Sequence, residues 1–397
     1  MSEVETRGRP LSFAGPSGGD AVLLPFELDD RLADWRSLRL RMIRSLNPDF
    51  TRVEWAYLIQ FVDPANLGAV YTETFGPRAA AAPRRLHLPF QRVAVWLPNN
   101  VSLLGPLTMI LLSLTGGEVW IKSGSRGSNL CQSFRDHAVK ALPSGGLSAW
   151  LSERLRIDSF DRHDPRNAEM AAWADVRILF GGDEAAEAVD RLPHRPRSTG
   201  FYFTDKVSEA WVERSQITEA TATELAKVFG VYGQAGCTSP KRVVLPDGSP
   251  KDTERLADLL ASVWPQVWPQ RVPRHVASAN VLAQQWAQAL RQPARLIGDA
   301  AAVLICTPAS PVTVKAHMAL YLQWGDLEEI RRTQASNLQT IGHALADPAD
   351  PAWLTALAGS PAVRFVPLMR MHDFGPVWDG TDWFRGLFQV RQVQREP

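Results

Sequence analysis

Of the three cysteines in this chain, Cys131, Cys237 and Cys306, one sits in a loop suited to close approach by a substrate. Cys237 lies between Gly233, Gly236 and Pro240, where a helix-forming stretch gives way to a strand-forming one. Glycines let the backbone turn tightly there and leave room beside the thiol. A cysteine attacks carbonyl carbon mainly as its thiolate, so a working site must lower the ordinary pKa of about 8.5. No histidine stands at a spacing that would mark a papain-like Cys-His pair. On composition alone a buried structural cysteine is the better account, since most unpaired cysteines are that. The three are far apart in sequence, odd in number and without a C-x-x-C pair. Neither a zinc knuckle, or any other metal site, nor a disulfide framework is indicated. Free thiols in a chain this long fit a reducing, cytoplasmic setting.

A second cluster has the parts of a phosphate-binding loop. In ILFGGDEAAEAV, residues 178–189, a strand is followed by Gly181, Gly182 and a helix start. A full G-x-G-x-x-G is missing, so the segment alone is weak evidence. Asp183 would sit badly beside a pyrophosphate and is expected to cap the helix instead. Asn99 and Asn100 follow another strand and by themselves suit an ordinary turn.

The elements that would position these residues alternate in type. Short apolar runs at 92–97 (RVAVWL), 118–122 (EVWIK) and 175–180 (DVRILF) read as strands, separated by helices at 103–115, 129–142 and 184–192. Nearly all-apolar strands alternating with helices indicate a parallel sheet covered on both faces, a Rossmann-like half. The second half is also α/β. Helices are expected at 221–228, 252–264 and 281–290, and strands at 301–306 and 361–367, with a mixed stretch at 327–345. Residues 1 to 25 are rich in Gly, Ser and Pro and expected to be ordered only in part, 28 to 67 are mostly helical, and 77–85 (PRAAAAPRR) reads as a linker.

The bulk numbers agree with a two-part α/β chain. At 397 residues, 45% of them apolar, the chain can bury a sizeable core in two packed units. The net charge of +1, with scattered Lys and Arg, disfavours a nucleic-acid partner. The N-terminus has no apolar stretch of the signal-peptide kind. The run from Val101 to Leu114 is too short for a transmembrane segment and reads as a buried helix.

Residues 231–244 (VYGQAGCTSPKRVV) resemble the catalytic-cysteine segment of the aldehyde dehydrogenase superfamily, in particular its acyl-CoA reductase branch of LuxC type. The likeness recurs in order over roughly residues 85 to 392, which reverses the preference for a merely structural Cys237. LPNNVSLLGP (97–106) is similar to the segment whose Asn points at the reacting carbonyl, which makes Asn100 an oxyanion donor beside the Cys237 amide. VWIKSGS (119–125) is similar to the strand ending in a Lys that contacts the adenosine ribose, here Lys122. Ser125 stands where NAD-preferring relatives often carry an acid, and Arg126 follows it. That pair suits a 2′-phosphate, so the expected cofactor is NADPH, with NADH as the alternative. Gly181 and Gly182 take the place of the loop after the fourth strand of the cofactor domain. NLQTIG (337–342) and MHDFGPVWDG (371–380) resemble signature segments of the same branch. Phe374 matches a Phe that touches the nicotinamide ribose. His372 replaces the Glu that accompanies that Phe, and reads as a structural residue rather than a proton donor; Trp378 reads as core.

The resemblance implies an aldehyde-dehydrogenase-like α/β fold. Residues 1–84 would form an N-terminal segment, 85–230 a Rossmann-type cofactor domain and 231–365 a catalytic domain, with 366–397 returning as a C-terminal segment. The reaction implied is reduction of an acyl thioester, carried on coenzyme A or on an acyl carrier protein, to an aldehyde through a Cys237 acyl-enzyme. Oxidising relatives carry a water-activating Glu upstream of the cysteine. The stretch 199–212 here has no such motif, and its Glu209 does not fit the pattern. The alternatives are an aldehyde dehydrogenase working in the oxidative direction and a Cys-dependent acyltransferase that uses no nicotinamide. Residues 387–393 could serve as the exchanged strand of the homo-oligomer that such relatives form.

Overall fold

Short apolar strands and capped helices dictate the architecture seen in the computed structural model, which describes residues 9–15, 18–79, 83–98, 100–124, 129–142, 144–312 and 318–393. The chain divides into two compact units, residues 1–204 with 374–397, and residues 205–373. The second unit thus includes residues 205–230 and 366–373.

The first unit holds a five-stranded, all-parallel sheet of β4 (Arg92–Trp96), β5 (Glu118–Ser123), β6 (Leu155–Ser159), β7 (Val176–Phe180) and β8 (Thr199–Phe203). Its spatial order is β6-β5-β4-β7-β8, so the order in which strands are added reverses between β4 and β7. Helix α4 (Leu104–Ser113) is buried on every side, as a sequence apolar but for Thr108 and Ser113 requires. It packs near α5 (Leu130–Ala141), which Asn129 caps through the amide of Gln132. A Cβ at Gly105 would come within 2.9 Å of the Cys131 Cβ, so glycine permits this approach. The short α6 (Gly146–Ala149), α7 (Arg166–Trp173) and α8 (Asp183–Asp190) complete the cover.

Ahead of this sheet, α1 (Leu28–Arg44), α2 (Arg52–Phe61) and α3 (Pro64–Phe75) occupy the stretch read as helical. α1 buries Leu28, Arg31, Trp35, Leu38 and Met42 at helical spacing. Trp35 Nε1 and Arg31 Nη1 both donate to Ser113, tying α1 to the end of α4. A second sheet was not legible in the sequence. It runs β1 (Leu11–Gly15), β2 (Gly18–Val22), β3 (Pro83–Pro89) and β18 (Phe388–Gln392). One expectation changes here. The Gly- and Pro-rich N-terminus supplies a hairpin, and the last residues of the expected linker, 83–85, open β3. The C-terminal strand lies antiparallel to β3 within the chain, with Phe388 opposite Pro89. A two-residue pair, β16 (Val377–Trp378) with β17 (Thr381–Asp382), precedes it.

The second unit holds a seven-stranded sheet: β9 (Val207–Val212), β10 (Pro240–Pro246), β11 (Ala294–Ile297), β12 (Ala302–Pro308), β13 (Ala319–Gly325), β14 (Leu338–Ala344) and β15 (Arg364–Pro367). The order is β11-β12-β13-β10-β9-β14-β15, and only the β11–β12 pair is antiparallel. Helices α9 (Glu219–Gly230), α10 (Pro250–Val267) and α11 (Arg274–Ala289) join α12 (Leu327–Arg332) and α13 (Pro351–Ala358) around it. α10 begins with a capping box between Ser249 and Asp252 and with Pro250 in the first turn. The main core of this unit packs Phe229, Val243, Leu256, Leu260, Trp264 and Leu304 between sheet and helices. Among the described residues no helix is long and apolar enough to cross a membrane.

Candidate active site

Cys237 is half-buried and precedes β10, so it stands at the amino edge of its sheet. The turn that delivers it leaves α9 through three successive left-handed residues, Tyr232 (φ 55°), Gly233 (φ 57°) and Gln234 (φ 62°). Two of them carry a Cβ, and each such residue costs about 1–2 kcal/mol in this conformation. The turn persists because its neighbours fix it. The buried Gln234 amide donates to Pro240 O at 2.9 Å and Ala319 O at 2.7 Å, and accepts from Ala319 N at 3.1 Å. Lys241 Nζ donates to Gln234 O at 2.7 Å. Ser208 Oγ donates to the Cys237 carbonyl at 2.7 Å. A bulge between Pro240 and Arg242, opposite β9, re-aims the strand just past the cysteine.

On the far side of Cys237, the Thr238 hydroxyl and His372 Nδ1 are 2.7 Å apart, and His372 Nε2 is 2.9 Å from Val228 O. A carbonyl only accepts, so Nε2 carries the ring proton and Nδ1 accepts from Thr238. Burial pushes the imidazole below its usual range and keeps it neutral. The other two thiols lie deep in the fold. Burial pushes Cys131 up to about 12 and Cys306 up to about 11.

A cavity of about 530 Å³ opens beside the cysteine turn at the amino ends of β9, β10, β13 and β14. Ser208, Glu209, Gln234, Lys241, Arg242 and Leu338 line it. Glu209 is not poised to activate water. Its Oε2 accepts from Arg242 Nε at 2.7 Å, and its Oε1 accepts from Trp211 Nε1 at 2.8 Å and Gln334 Nε2 at 2.6 Å. The sequence reading did not single out Ser208, Gln234, Thr238 or Lys241. The one available signal was polar residues flanking the cysteine at the entrance to an apolar strand.

The remaining candidates lie on the first unit. Asn100 is exposed in the loop between β4 and α4, and Gly181 and Gly182 follow β7. These two loops flank the switch point of the sheet at its carboxyl edge, where open parallel sheets take dinucleotides. Lys122 is the next-to-last residue of β5 on the same edge, opposite Trp96. It is half-buried near the Phe160 ring, and burial lowers its pKa while Asp161 raises it. A crevice at this edge is lined by Leu97, Pro98, Gly105, Ser123, Gly124 and Cys131. A lysine and a glycine pair at the switch point are residue types that suit the phosphates of a dinucleotide. One expectation changes: Gly182, not Asp183, is the N-cap of α8, and Asp183 lies in the first helical turn with Glu184. Two carboxylates there suit the positive end of the helix dipole. Phe374 is buried against Phe180, Trp378 and Trp383, next to that glycine pair in sequence through Phe180. Asn99, Ser125 and Arg126 lie outside the described residues.

Two α/β units of this construction, one with a dinucleotide-type switch point and one presenting a cysteine ahead of a parallel strand, define an aldehyde-dehydrogenase-like fold. The aldehyde dehydrogenase KauB from Pseudomonas aeruginosa matches 93% of this chain and 84% of its own, with a TM-score of 0.66 at 11% identity. AldA, an indole-3-acetaldehyde dehydrogenase from P. syringae solved with NAD+ and IAA, gives 0.65 at 11% identity, over 93% and 84% of the two chains. A 1-pyrroline-5-carboxylate dehydrogenase variant from Thermus thermophilus gives 0.62 at 12%, over 93% and 81%. In sequence, no curated protein matches. The family model for acyl-CoA reductase (LuxC) matches residues 80–308, more than half the chain, and the protein belongs to that family. It is accordingly an oxidoreductase.

Proposed function

We propose that this protein reduces an acyl thioester to an aldehyde through a covalent intermediate on Cys237, with NADPH as donor. The observation that carries the reading is the cysteine turn. A half-buried thiol is presented by a left-handed backbone that Gln234, Ser208 and Lys241 hold in place, in a member of an acyl-CoA reductase family. Pre-positioning of this kind is what a nucleophile needs and a packing cysteine does not.

Lys122 and the backbone of Gly181 and Gly182 would hold the dinucleotide, with Phe374 assigned to the nicotinamide ribose by its motif; Ser125 and Arg126 are assigned to a 2′-phosphate by their sequence position. Bound there, the reduced nicotinamide supplies a hydride to the acyl carbon. The Cys237 thiolate attacks the thioester carbonyl, and the carbon–sulfur bond to the carrier breaks, releasing a thiolate that takes up a proton. After reduction, the oxyanion re-forms the carbonyl, the bond to Cys237 sulfur breaks and free aldehyde leaves with the thiolate regenerated. Asn100, through its motif, is assigned to the oxyanion together with the Cys237 amide. The engaged carboxylate of Glu209 favours reduction over hydrolysis, because no water-activating role remains for it.

Single-turnover mass spectrometry with a panel of acyl-CoA esters tests the proposal. An adduct on Cys237 that disappears as aldehyde forms on adding NADPH is the expected result. An adduct that NADPH and NADH both leave intact would point to acyl transfer instead.

A further inference from the structure

We propose that His372 is a positioning residue for the nucleophile: its neutral imidazole braces the two ends of the Cys237 turn against each other. This rests on the reading of Cys237 as the nucleophile. The ring spans from Val228, in the last turn of α9, to Thr238, the residue directly after the cysteine. Val228 O belongs to a helix end whose final carbonyls lack partners within the helix, and His372 Nε2–H satisfies it. Nδ1 then takes the Thr238 hydroxyl, closing the strained stretch between them like a strut. Tyr232, one of the left-handed residues, packs edge-on against the ring with centroids 5.9 Å apart and planes at 87°.

The same contacts argue against a proton-transfer role for His372. One ring nitrogen gives its proton to a main-chain carbonyl and the other gives its lone pair to Thr238. The charges that reach the ring oppose one another: Arg364, on β15, disfavours the imidazolium and Asp373 favours it, while burial outweighs both. What the ring does is geometric. Thr238 sets the direction in which the Cys237 backbone arrives, and misplacement of a reacting atom by about 1 Å can lower a rate about 100-fold.

The test compares His372→Leu, His372→Asn and Thr238→Val in the full-length enzyme, together with the Leu/Val double variant. Two rates are read: acylation of Cys237 by acyl-CoA, and alkylation of Cys237 by iodoacetamide across pH, followed by peptide mass. His372→Leu and Thr238→Val are each expected to slow both rates by about 10- to 100-fold, and the double variant to be no slower than either. Asn places an acceptor near the position of Nδ1, so His372→Asn is expected to recover most of the loss with an unchanged pH profile. Wild-type rates in His372→Leu would overturn the proposal. So would an Asn variant as slow as the Leu variant beside an unaffected Thr238→Val, because the ring would then act in its own right. If Cys237→Ala still made aldehyde at the wild-type rate, the nucleophile reading would fall, while the alkylation rates would still decide what His372 does.

Discussion

Arg242 Nε donates to Glu209 Oε2 at 2.7 Å across the β9–β10 pair, and both side chains are almost wholly buried. The guanidinium also donates to Gln323 Oε1, Thr333 Oγ1 and Ile330 O, so the pair is the centre of a satisfied network. Breaking such a pair from one side leaves an uncompensated buried charge. Glu209→Gln is therefore expected to lower stability by about 3–5 kcal/mol in urea denaturation. The same variant should leave the lifetime of a Cys237 acyl adduct in water unchanged. A longer-lived adduct would mean that Glu209 activates water after all.

The three thiols should differ sharply in reactivity. Burial holds Cys131 and Cys306 protonated well above neutral pH, at about 12 and about 11. Iodoacetamide at pH 8 is thus expected to label Cys237 and spare the other two until urea unfolds the chain. Cys237→Ala should abolish aldehyde formation, whereas Cys306→Ala should leave kcat within about twofold, its effect confined to stability as a small core truncation.

Much of the frame was legible because its signals are local. Apolar runs ended by Pro, Gly or Asn predicted β4, β5 and β7, and Asn129 marks the start of α5 where it caps it. What escaped was set by tertiary contact. β9 carries Ser208 and Glu209 among its apolar residues, and a buried carboxylate in a strand makes sense only once Arg242 is known to face it. Half the residues of the β1–β2 hairpin, its Ser, Gly and Asp, are ones that ordinarily mark loops, and it is held by pairing with β3 and through it β18, far along the chain. The cysteine turn divides in the same way. Its glycines and its cysteine are visible in the sequence, whereas the hold that His372 keeps on Thr238 joins segments 134 residues apart.

Acid should destabilise the protein beginning near pH 6.5. Burial lowers His87, His137, His343 and His372 below that ordinary value. As pH falls through it, the unfolded chain takes up protons that the native state resists, so stability present at neutral pH is lost on acidification. His343 gives the cleanest test, since desolvation alone shifts it and its ring stacks on Phe365 at 4.3 Å. Urea midpoints for wild type should fall between pH 7.5 and 5.5. His343→Phe should show a smaller fall, and an equal one would show that this residue does not contribute.

The oxyanion assignment makes Asn100 separable from cofactor binding. Asn100→Ala is expected to lower kcat by about 100- to 1000-fold, the usual effect of removing one oxyanion donor, with little change in KM for NADPH. Steady-state kinetics and the rate of Cys237 acylation should fall together, because the same donor serves the tetrahedral species of both steps. A loss confined to KM would place Asn100 with the cofactor instead.

Lys122 should show the opposite pattern. It lies next to last in β5 on the carboxyl edge where the dinucleotide is assigned, so Lys122→Ala is expected to raise KM for NADPH by about 10- to 100-fold, the range for a charge-assisted hydrogen bond, and to change kcat little. The pH dependence carries a further sign. Burial lowers the Lys122 pKa from the ordinary 10.5, so its ammonium loses its proton earlier on the alkaline side than an exposed lysine would. KM for NADPH in the wild type should therefore climb before pH 10.5 is reached, while Lys122→Arg, which stays charged, should hold its KM flat over the same interval. Parallel climbs in the two proteins would assign the effect to another group and remove Lys122 from the cofactor contacts.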